Sequence, residues 1–152
     1  MRLKADSGDA FELLLLRYQF PDVHEDRWDS NWLVVSGKAS LGGQTWHFTD
    51  PAATTFELAE LADWLSDIAL RRHTFDDFEL TEPNLAFFVA NEPVPALRVR
   101  FAHESAPPWV TDHAERMSGV FVDFPLAEVD LAVAADELRN ALNDFPTRGG
   151  AA

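Results

Sequence analysis

The chain has 152 residues, of which 47% are hydrophobic and none is cysteine. Its 12 Lys and Arg residues stand against 26 Asp and Glu, so the formal net charge is −14. These figures exclude disulfide and thiol chemistry and disfavour direct binding of nucleic acid, because an acidic surface repels phosphates. We therefore expect either a basic protein partner, attracted by the charge, or a charge that serves only ordinary solubility.

The N-terminal segment and the hydropathy pattern predict neither export nor membrane insertion. Residues 1–9 turn polar at once and lack the apolar core of a secretion signal. No apolar run approaches the roughly 20 residues that a membrane span needs. Together with the lack of cysteine, these features predict a cytoplasmic protein with no membrane partner.

The N-terminal third of the chain predicts strands that are interrupted by one acidic loop. Residues 11–20 contain four consecutive leucines, which suggest a central strand covered on both faces. Residues 22–29 follow as the acidic loop. Beyond it, Gly42 and Gly43 separate two further apolar segments, which is the pattern of a β-hairpin.

Residues 54–70 predict an amphipathic helix around which the other elements are arranged. Its apolar face is formed by Leu58, Leu61, Leu65 and Ile68. Thr54 and Glu57 have the spacing of a capping box at the N-terminus of the helix. Because a lone helix of this length is marginal in water, its apolar face must pack on another element. The neighbouring strands offer the largest apolar surfaces for that packing.

The second half of the chain predicts four more strands and a second amphipathic helix. The strand segments are residues 74–80, 84–90, 96–102 and 120–124. In the third segment, Arg98 and Arg100 alternate with apolar residues, so a cross-strand carboxylate such as Glu79 could neutralise them on a polar face. Residues 131–145 have helical apolar spacing, with Asp130 as the expected N-cap.

Adjacent hairpin-like strands with only two helices predict an α+β fold rather than alternating βαβ units. We expect a single domain over residues 1–146, with a largely antiparallel sheet of about six to eight strands and two amphipathic helices. Periodicity leaves open whether this sheet curls or splits into a sandwich. Residues 147–152 are expected to form a flexible tail.

The acidic loop has enough donor atoms for a divalent cation, but they do not follow a metal-binding pattern. The donors are Asp22, His24, Glu25, Asp26 and Asp29. Their spacing matches no calcium or zinc motif, and the glycine of a calcium loop is missing, so a solvated loop is favoured over a metal site. The histidines are scattered and are better explained as strand or loop residues than as ligands. They are His24, His47, His73, His103 and His113.

No motif in the chain predicts catalysis or a cofactor. No serine or threonine lies in a strand–turn–helix elbow, and no glycine-rich loop precedes the lysine of a phosphate-binding site. Glu82 and Glu104 could act as an acid–base pair if their strands adjoin, although hydrogen bonding to turn backbones is the simpler interpretation. Trp28 and Trp109 lie in loops, where they either cover their own fold or anchor a partner.

Five segments, taken in order, carry a family resemblance. They are residues 18–21 (YQFP), 29–33 (DSNWL), 55–65 (TFEL, then Leu61 and Trp64-Leu65), 78–85 (FELTEPNL) and 104–109 (ESAPPW). Together, over residues 13–145, they resemble the WapI-type immunity protein family. The resemblance implies a non-enzymatic protein that protects a bacterium by binding the toxic domain of a secreted toxin, for which a tRNA-cleaving nuclease is the model. It supplies no catalytic residues.

The resemblance and the charge together suggest how such a protein acts. A tRNA-cleaving toxin must present a basic surface, and an acidic protein can cover it with carboxylates in place of RNA phosphates. We predict that the contacts lie on Asp22, Glu25, Asp26, Asp29, Glu60, Asp63, Asp67, Asp76, Asp77 and Glu79. Two alternatives remain open: an interaction domain whose partner is not a nuclease, and a small hydrolase or metal-dependent enzyme.

Overall fold

In the computed structural model, which describes residues 1–72 and 74–149, the chain forms two antiparallel sheets and three α-helices. The first sheet contains, in spatial order, β1 (Arg2–Lys4), β2 (Ala10–Tyr18), β3 (Trp32–Leu41) and β4 (Gln44–Thr54). The second contains β5 (Asp77–Glu79), β6 (Leu85–Ala90), β7 (Ala96–Phe101) and β8 (Val120–Pro125). The helices are α1 (Thr55–Ala69), α2 (His113–Ser118) and α3 (Leu131–Leu142).

This architecture confirms the predicted α+β class. The strands form two separate sheets of four strands each. Strand β4 ends at Thr54 and α1 begins at Thr55, so the first sheet runs directly into the central helix. Helix α2, between Asp112 and Gly119, was not predicted because six residues are too few for a recognisable apolar stripe. Within the described ranges, every helix is too short or too polar to cross a membrane.

Strand β2 is covered on one face only, so the prediction of a strand covered on both faces was wrong. Phe11 and Leu13 are buried, whereas Leu14 and Leu16 are 49% and 42% exposed. Inner and outer positions therefore alternate, as in an antiparallel sheet with one face toward water. A register shift near the end of the strand returns Tyr18 to the buried side.

Phe101, on β7, is the point at which the two sheets meet. Its ring makes edge contacts with Phe11, Trp46 and Phe48 of the first sheet, at centroid distances of 5.0, 5.3 and 6.2 Å. Gly37 on β3 makes room for one of these rings, because a β-carbon there would lie 2.0 Å from Phe48 Cζ. The core between the sheets is thus an aromatic cluster.

Helix α1 has the predicted apolar stripe, but its main packing partner is α3 rather than the strands. Leu58, Leu61 and Leu65 are buried on α1, and α3 contributes Leu131 and Leu138. These side chains belong to the same hydrophobic core as the inner faces of the sheets. The two helices therefore bury each other's apolar faces and complete the core beside the aromatic cluster.

The predicted capping box of α1 is confirmed, and Glu57 extends it to a third element. Glu57 Oε2 accepts hydrogen bonds from the backbone N–H and the hydroxyl of Thr54, at 2.9 and 3.0 Å. Glu57 Oε1 accepts the backbone N–H of Thr81 at 2.7 Å. One buried carboxylate thus ties the start of α1 to the segment before β6. Asp130, the predicted N-cap of α3, accepts the N–H of Val133 in the same manner.

The arginines of β7 lie on the outer face of the second sheet as predicted, but Glu79 is not their partner. Arg98 donates two hydrogen bonds to the carboxylate of Asp123 on β8, at 2.7 and 2.9 Å. Glu79 lies on β5 opposite Ala86, so the whole of β6 separates it from β7. The prediction failed because alternation along a strand does not reveal which strands are neighbours.

A polar seam joins β4 to the turn that follows β7. Asn84 donates from Nδ2 to Asp50, and its carbonyl accepts the hydroxyl of Ser105. Trp46 Nε1 donates to the carbonyl of Ser105 at 2.9 Å. Burial, and after it the charge of Glu104, raises the pKa of Asp50, while the hydrogen bond from Asn84 acts in the opposite direction.

Replacing Glu57 with alanine should destabilise the protein by roughly 2–3 kcal/mol, because the N–H groups of Thr54 and Thr81 lose their acceptor. The free energy of unfolding in urea measures this loss. Glu57→Gln keeps one acceptor oxygen and should lose less. Glu60→Ala, at an exposed position of the same helix, should change stability by less than about 0.5 kcal/mol. Equal losses for Glu57→Ala and Glu60→Ala would contradict this account of the cap.

Replacing Asp50 with asparagine should raise the melting temperature at pH 7. Folding raises the pKa of Asp50, so the folded state favours the protonated form, and ionisation of this group lowers stability as the pH rises. The gain should shrink as the pH falls through the raised pKa and vanish below the ordinary value. Melting curves of both proteins between pH 4 and pH 7 test this, and a pH-independent loss in Asp50→Asn would refute it.

Candidate functional site

The side chain of Asp26 holds part of the acidic loop in a turn. Asp26 Oδ1 accepts the backbone N–H groups of Trp28 and Asp29, at 2.8 and 2.7 Å, an arrangement that aspartate often makes in turns. Asp26 is thus engaged in the structure of the loop itself. The carboxylates of Asp22, Glu25 and Asp29 lie at exposed positions around it.

Asn31 is fully buried and fixes the acidic loop to two other parts of the chain. Its Nδ2 donates to the carbonyls of Arg27 and Arg148, at 2.7 and 2.8 Å. Its Oδ1 accepts the hydroxyl of Thr55 at 2.9 Å and the backbone N–H of Arg148 at 2.8 Å. The loop, the start of α1 and the C-terminal segment therefore share one amide group.

Thr147, Arg148 and Gly149 of the expected C-terminal tail lie against other parts of the chain. The hydroxyl of Thr147 lies 3.1 Å from that of Thr55, and Arg148 bonds Asn31 as described above. Residues 150–152 lie outside the described residues, as does His73. The domain boundary at residue 146 stays a prediction.

Trp28 presents an aromatic surface within the acidic loop. It is 44% exposed, although its ring packs edge-on against Phe56 of α1 at 5.0 Å and lies 6.3 Å from the ring of Trp32. The guanidinium of Arg27 lies 5.0 Å from the centre of the Phe56 ring. Trp28 thus covers part of its own fold while a large part of its ring stays exposed.

The contact with Phe56 joins the acidic loop to the outer face of α1. Glu60, Asp63 and Asp67 follow Phe56 at steps of four, three and four residues, so they form a row along the helix. Glu60 and Asp63 are exposed, and Asp67 is partly buried. This row, the helix stripe, begins beside Trp28 and continues to the last turn of α1.

The strand segment, residues 75–81, runs beside α1 and carries the third predicted group of carboxylates. These are Asp76, Asp77 and Glu79, all at exposed positions. Trp64 Nε1 donates to the carbonyl of Phe75 at 2.9 Å, and Thr81 bonds Glu57 at the other end. The acidic loop and the strand segment therefore both adjoin α1. We refer to the ten predicted residues together as the acidic surface.

Two of the ten carboxylates form ion pairs within the chain. Asp63 accepts a hydrogen bond from Arg139 at 2.9 Å, and Asp67 lies 3.6 Å from Arg72. In residues 1–72 and 74–149, the remaining eight form no ion pair. The helix stripe is therefore partly neutralised, whereas the carboxylates of the acidic loop and of the strand segment have no ion pair among the described residues.

The side chains considered for catalysis or metal binding do not form a site on the acidic surface. Glu104 acts electrostatically on Asp50, at the polar seam between the sheets. Among the residues that the structure describes, no three His, Asp or Glu side chains are grouped so that they could hold a metal ion. Trp109 is 45% exposed and packs edge-on against Trp46 at 5.5 Å, so it covers the aromatic core.

A groove of about 870 Å³ lies at the C-terminal end of α1. Its apolar lining includes Ile68, Val94, Leu126 and Val129. Two carboxylates line it, and both have structural partners: Glu128 accepts the N–H of Asp6 at 2.7 Å, and Asp130 caps α3. Arg71 is the other charged residue of the lining, so the groove does not bring together several free polar groups as a typical small-molecule site does.

Three residues that organise the acidic surface were not predicted from the sequence: Asn31, Phe56 and Arg148. The sequence could have marked Phe56, because it is a large apolar residue outside the apolar stripe of its helix and must pack against another element. Asn31 stands between an acidic loop and an apolar strand, where a polar residue is unremarkable. Arg148 follows a helix-ending proline in a polar segment, and no local pattern marks it.

The comparison with protein families matches nearly the whole chain. Residues 2–146 fit the model described as Immunity protein WapI-like family, and this range includes every carboxylate of the acidic surface. No curated protein and no solved structure matches the chain. The family match confirms the resemblance carried by the five sequence segments: the chain belongs to the WapI-like immunity protein family.

Proposed function

We propose that this protein is a non-enzymatic immunity protein that binds a basic toxin and occludes it with the acidic surface. Membership of an immunity family supports the general role. The observation that carries the finer proposal is the set of eight carboxylates without an internal ion pair, held on elements that adjoin α1. Exposed carboxylates that no internal cation neutralises are available to the cations of a partner.

The chemistry favours a toxin that acts on RNA, with a tRNA-cleaving nuclease as the specific candidate. Such an enzyme must bind phosphates through Lys and Arg side chains. Carboxylates presented on a folded surface occupy the same positive sites without offering a bond to cleave. Long-range attraction speeds the encounter, while desolvated contacts at the centre of the interface determine how long the complex lasts.

Reversing three charges of the acidic loop should weaken toxin binding strongly. In Asp22→Lys/Glu25→Lys/Asp29→Lys, we expect the association rate at low salt to fall by about 10- to 100-fold, because electrostatic steering is lost. The probe is a basic, tRNA-cleaving toxic domain that has been inactivated at its catalytic residue, and the measurement is surface plasmon resonance at several salt concentrations. The salt dependence of association should flatten in the variant.

A matched control separates the position of the charges from their number. Glu82→Lys/Glu92→Lys/Glu115→Lys changes the net charge equally at three exposed positions outside the acidic surface. This control should bind nearly as fast as the wild type and should protect cells that co-express the active toxin. Equal losses in both triple variants would refute the proposed location, and a wild type that neither binds nor protects would refute the function.

Truncating Trp28 should shorten the life of the complex without slowing its formation. We expect Trp28→Ala to dissociate about tenfold faster, since exposed aromatic residues in the centre of an interface often dominate its binding energy. Trp109→Ala is the control, because Trp109 is equally exposed but packs on Trp46. If Trp28→Ala and Trp109→Ala both dissociate at the rate of the wild type, the proposed role of Trp28 in binding is wrong.

A further inference from the structure

The C-terminal segment lies directly against the acidic loop and the strand before it. Arg148 Nη1 donates to the carbonyl of Pro21 at 3.0 Å, at the entrance of the loop. The guanidinium carbon of Arg148 lies 3.5 Å from the centre of the Tyr18 ring, a close cation–π distance. The Tyr18 hydroxyl in turn donates to the carbonyl of Pro146 at 2.5 Å. Arg148 and Tyr18 therefore hold each other in place.

The backbone of the same segment is held at the other end of the acidic loop. The N–H and the carbonyl of Arg148 both bond the Asn31 side chain, at 2.8 Å each. Gly149 follows in a left-handed conformation, with φ of 58°. A β-carbon at Gly149 would lie 2.7 Å from the carbonyl oxygen of Glu25 and 2.8 Å from that of His24. The segment thus touches the entrance, the middle and the end of the loop.

From these contacts we infer that residues 146–149 form a strap that holds the acidic loop in its partner-binding conformation, with Arg148 as the positioning residue. The inference rests on the proposed function, because it concerns the same surface. Three of the four strap residues lie beyond the family match, which ends at residue 146.

Two physical effects, electrostatics and chain entropy, explain how the strap would raise the affinity of the acidic loop for a partner. Asp22, Glu25, Asp26 and Asp29 follow one another within the acidic loop, and repulsion between like charges disfavours a compact loop. Arg148 donates to the carbonyl of Pro21, so its positive charge lies at the entrance of the loop. A loop that is already ordered loses less conformational entropy when a partner binds. Loosening the strap should therefore lower affinity even when every carboxylate is still present.

The test uses the chain of 152 residues and compares Arg148→Ala with Arg98→Ala. The control removes the same charge from an arginine with two hydrogen bonds to Asp123 on the second sheet. Amide hydrogen exchange should become on the order of tenfold faster in residues 22–30 of Arg148→Ala and should stay unchanged in β3 and β4. Its affinity for the inactivated toxic domain should fall by about tenfold, whereas Arg98→Ala should bind like the wild type.

If Arg148→Ala fails to fold, two conservative variants still test the role of the strap. Arg148→Lys preserves the charge and should restore part of the affinity, and Tyr18→Phe, which removes the bond to Pro146, should loosen the loop to a smaller extent. Unchanged exchange in residues 22–30 of these variants would overturn the strap. Faster exchange with undiminished toxin affinity would overturn its role in binding.

The same data separate this inference from the proposed function. If the charge-reversal variants lose binding but the Arg148 variants do not, the function stands and the positioning role is rejected. If the wild type does not bind the toxic domain, the function is rejected and the role of the strap in binding is rejected with it.

Discussion

The placement of the acidic loop depends on one buried amide, the side chain of Asn31. Its two donors and two acceptor positions are all occupied, and its backbone carbonyl accepts the N–H of Thr55 at 3.0 Å. Leaving any of these buried groups without a partner costs about 1–3 kcal/mol. Because the partners belong to the acidic loop, α1 and the C-terminal segment, these three parts keep their arrangement together or lose it together.

The acidic loop carries four carboxylates, and their repulsion must be offset for the loop to keep its fold. Each repulsion between exposed carboxylates is modest, since water and salt screen it, but the repulsions add up over a small area. Arg27 beside Phe56 and Arg148 beside Tyr18 supply positive charge at the edges of the loop.

Local patterns in the sequence were sufficient to predict the helices and strands. They did not reveal which of these elements lie next to each other. Thr54 with Glu57 and the Gly42-Gly43 turn act over a few residues, so their predictions were confirmed. The pairing of Arg98 with Asp123 and the exposure of Leu14 depend on strand order and on what covers each sheet, which periodicity does not encode. Of the candidate surface, the charged residues were visible in the sequence, but the long-range contacts of Asn31 and Arg148 were not.

The close approach of Phe48 to Gly37 has a consequence for the hairpin that leads into α1. These two residues are opposite each other in the β3–β4 pairing, and the phenyl ring occupies the volume that any β-carbon at position 37 would need. A slip of the pairing by two residues would place Val35 or Ala39 opposite Phe48, and the β-carbon of either residue would force the ring out of its present position. This steric cost favours the observed alignment of the two strands, and that alignment fixes where β4 ends and α1 begins.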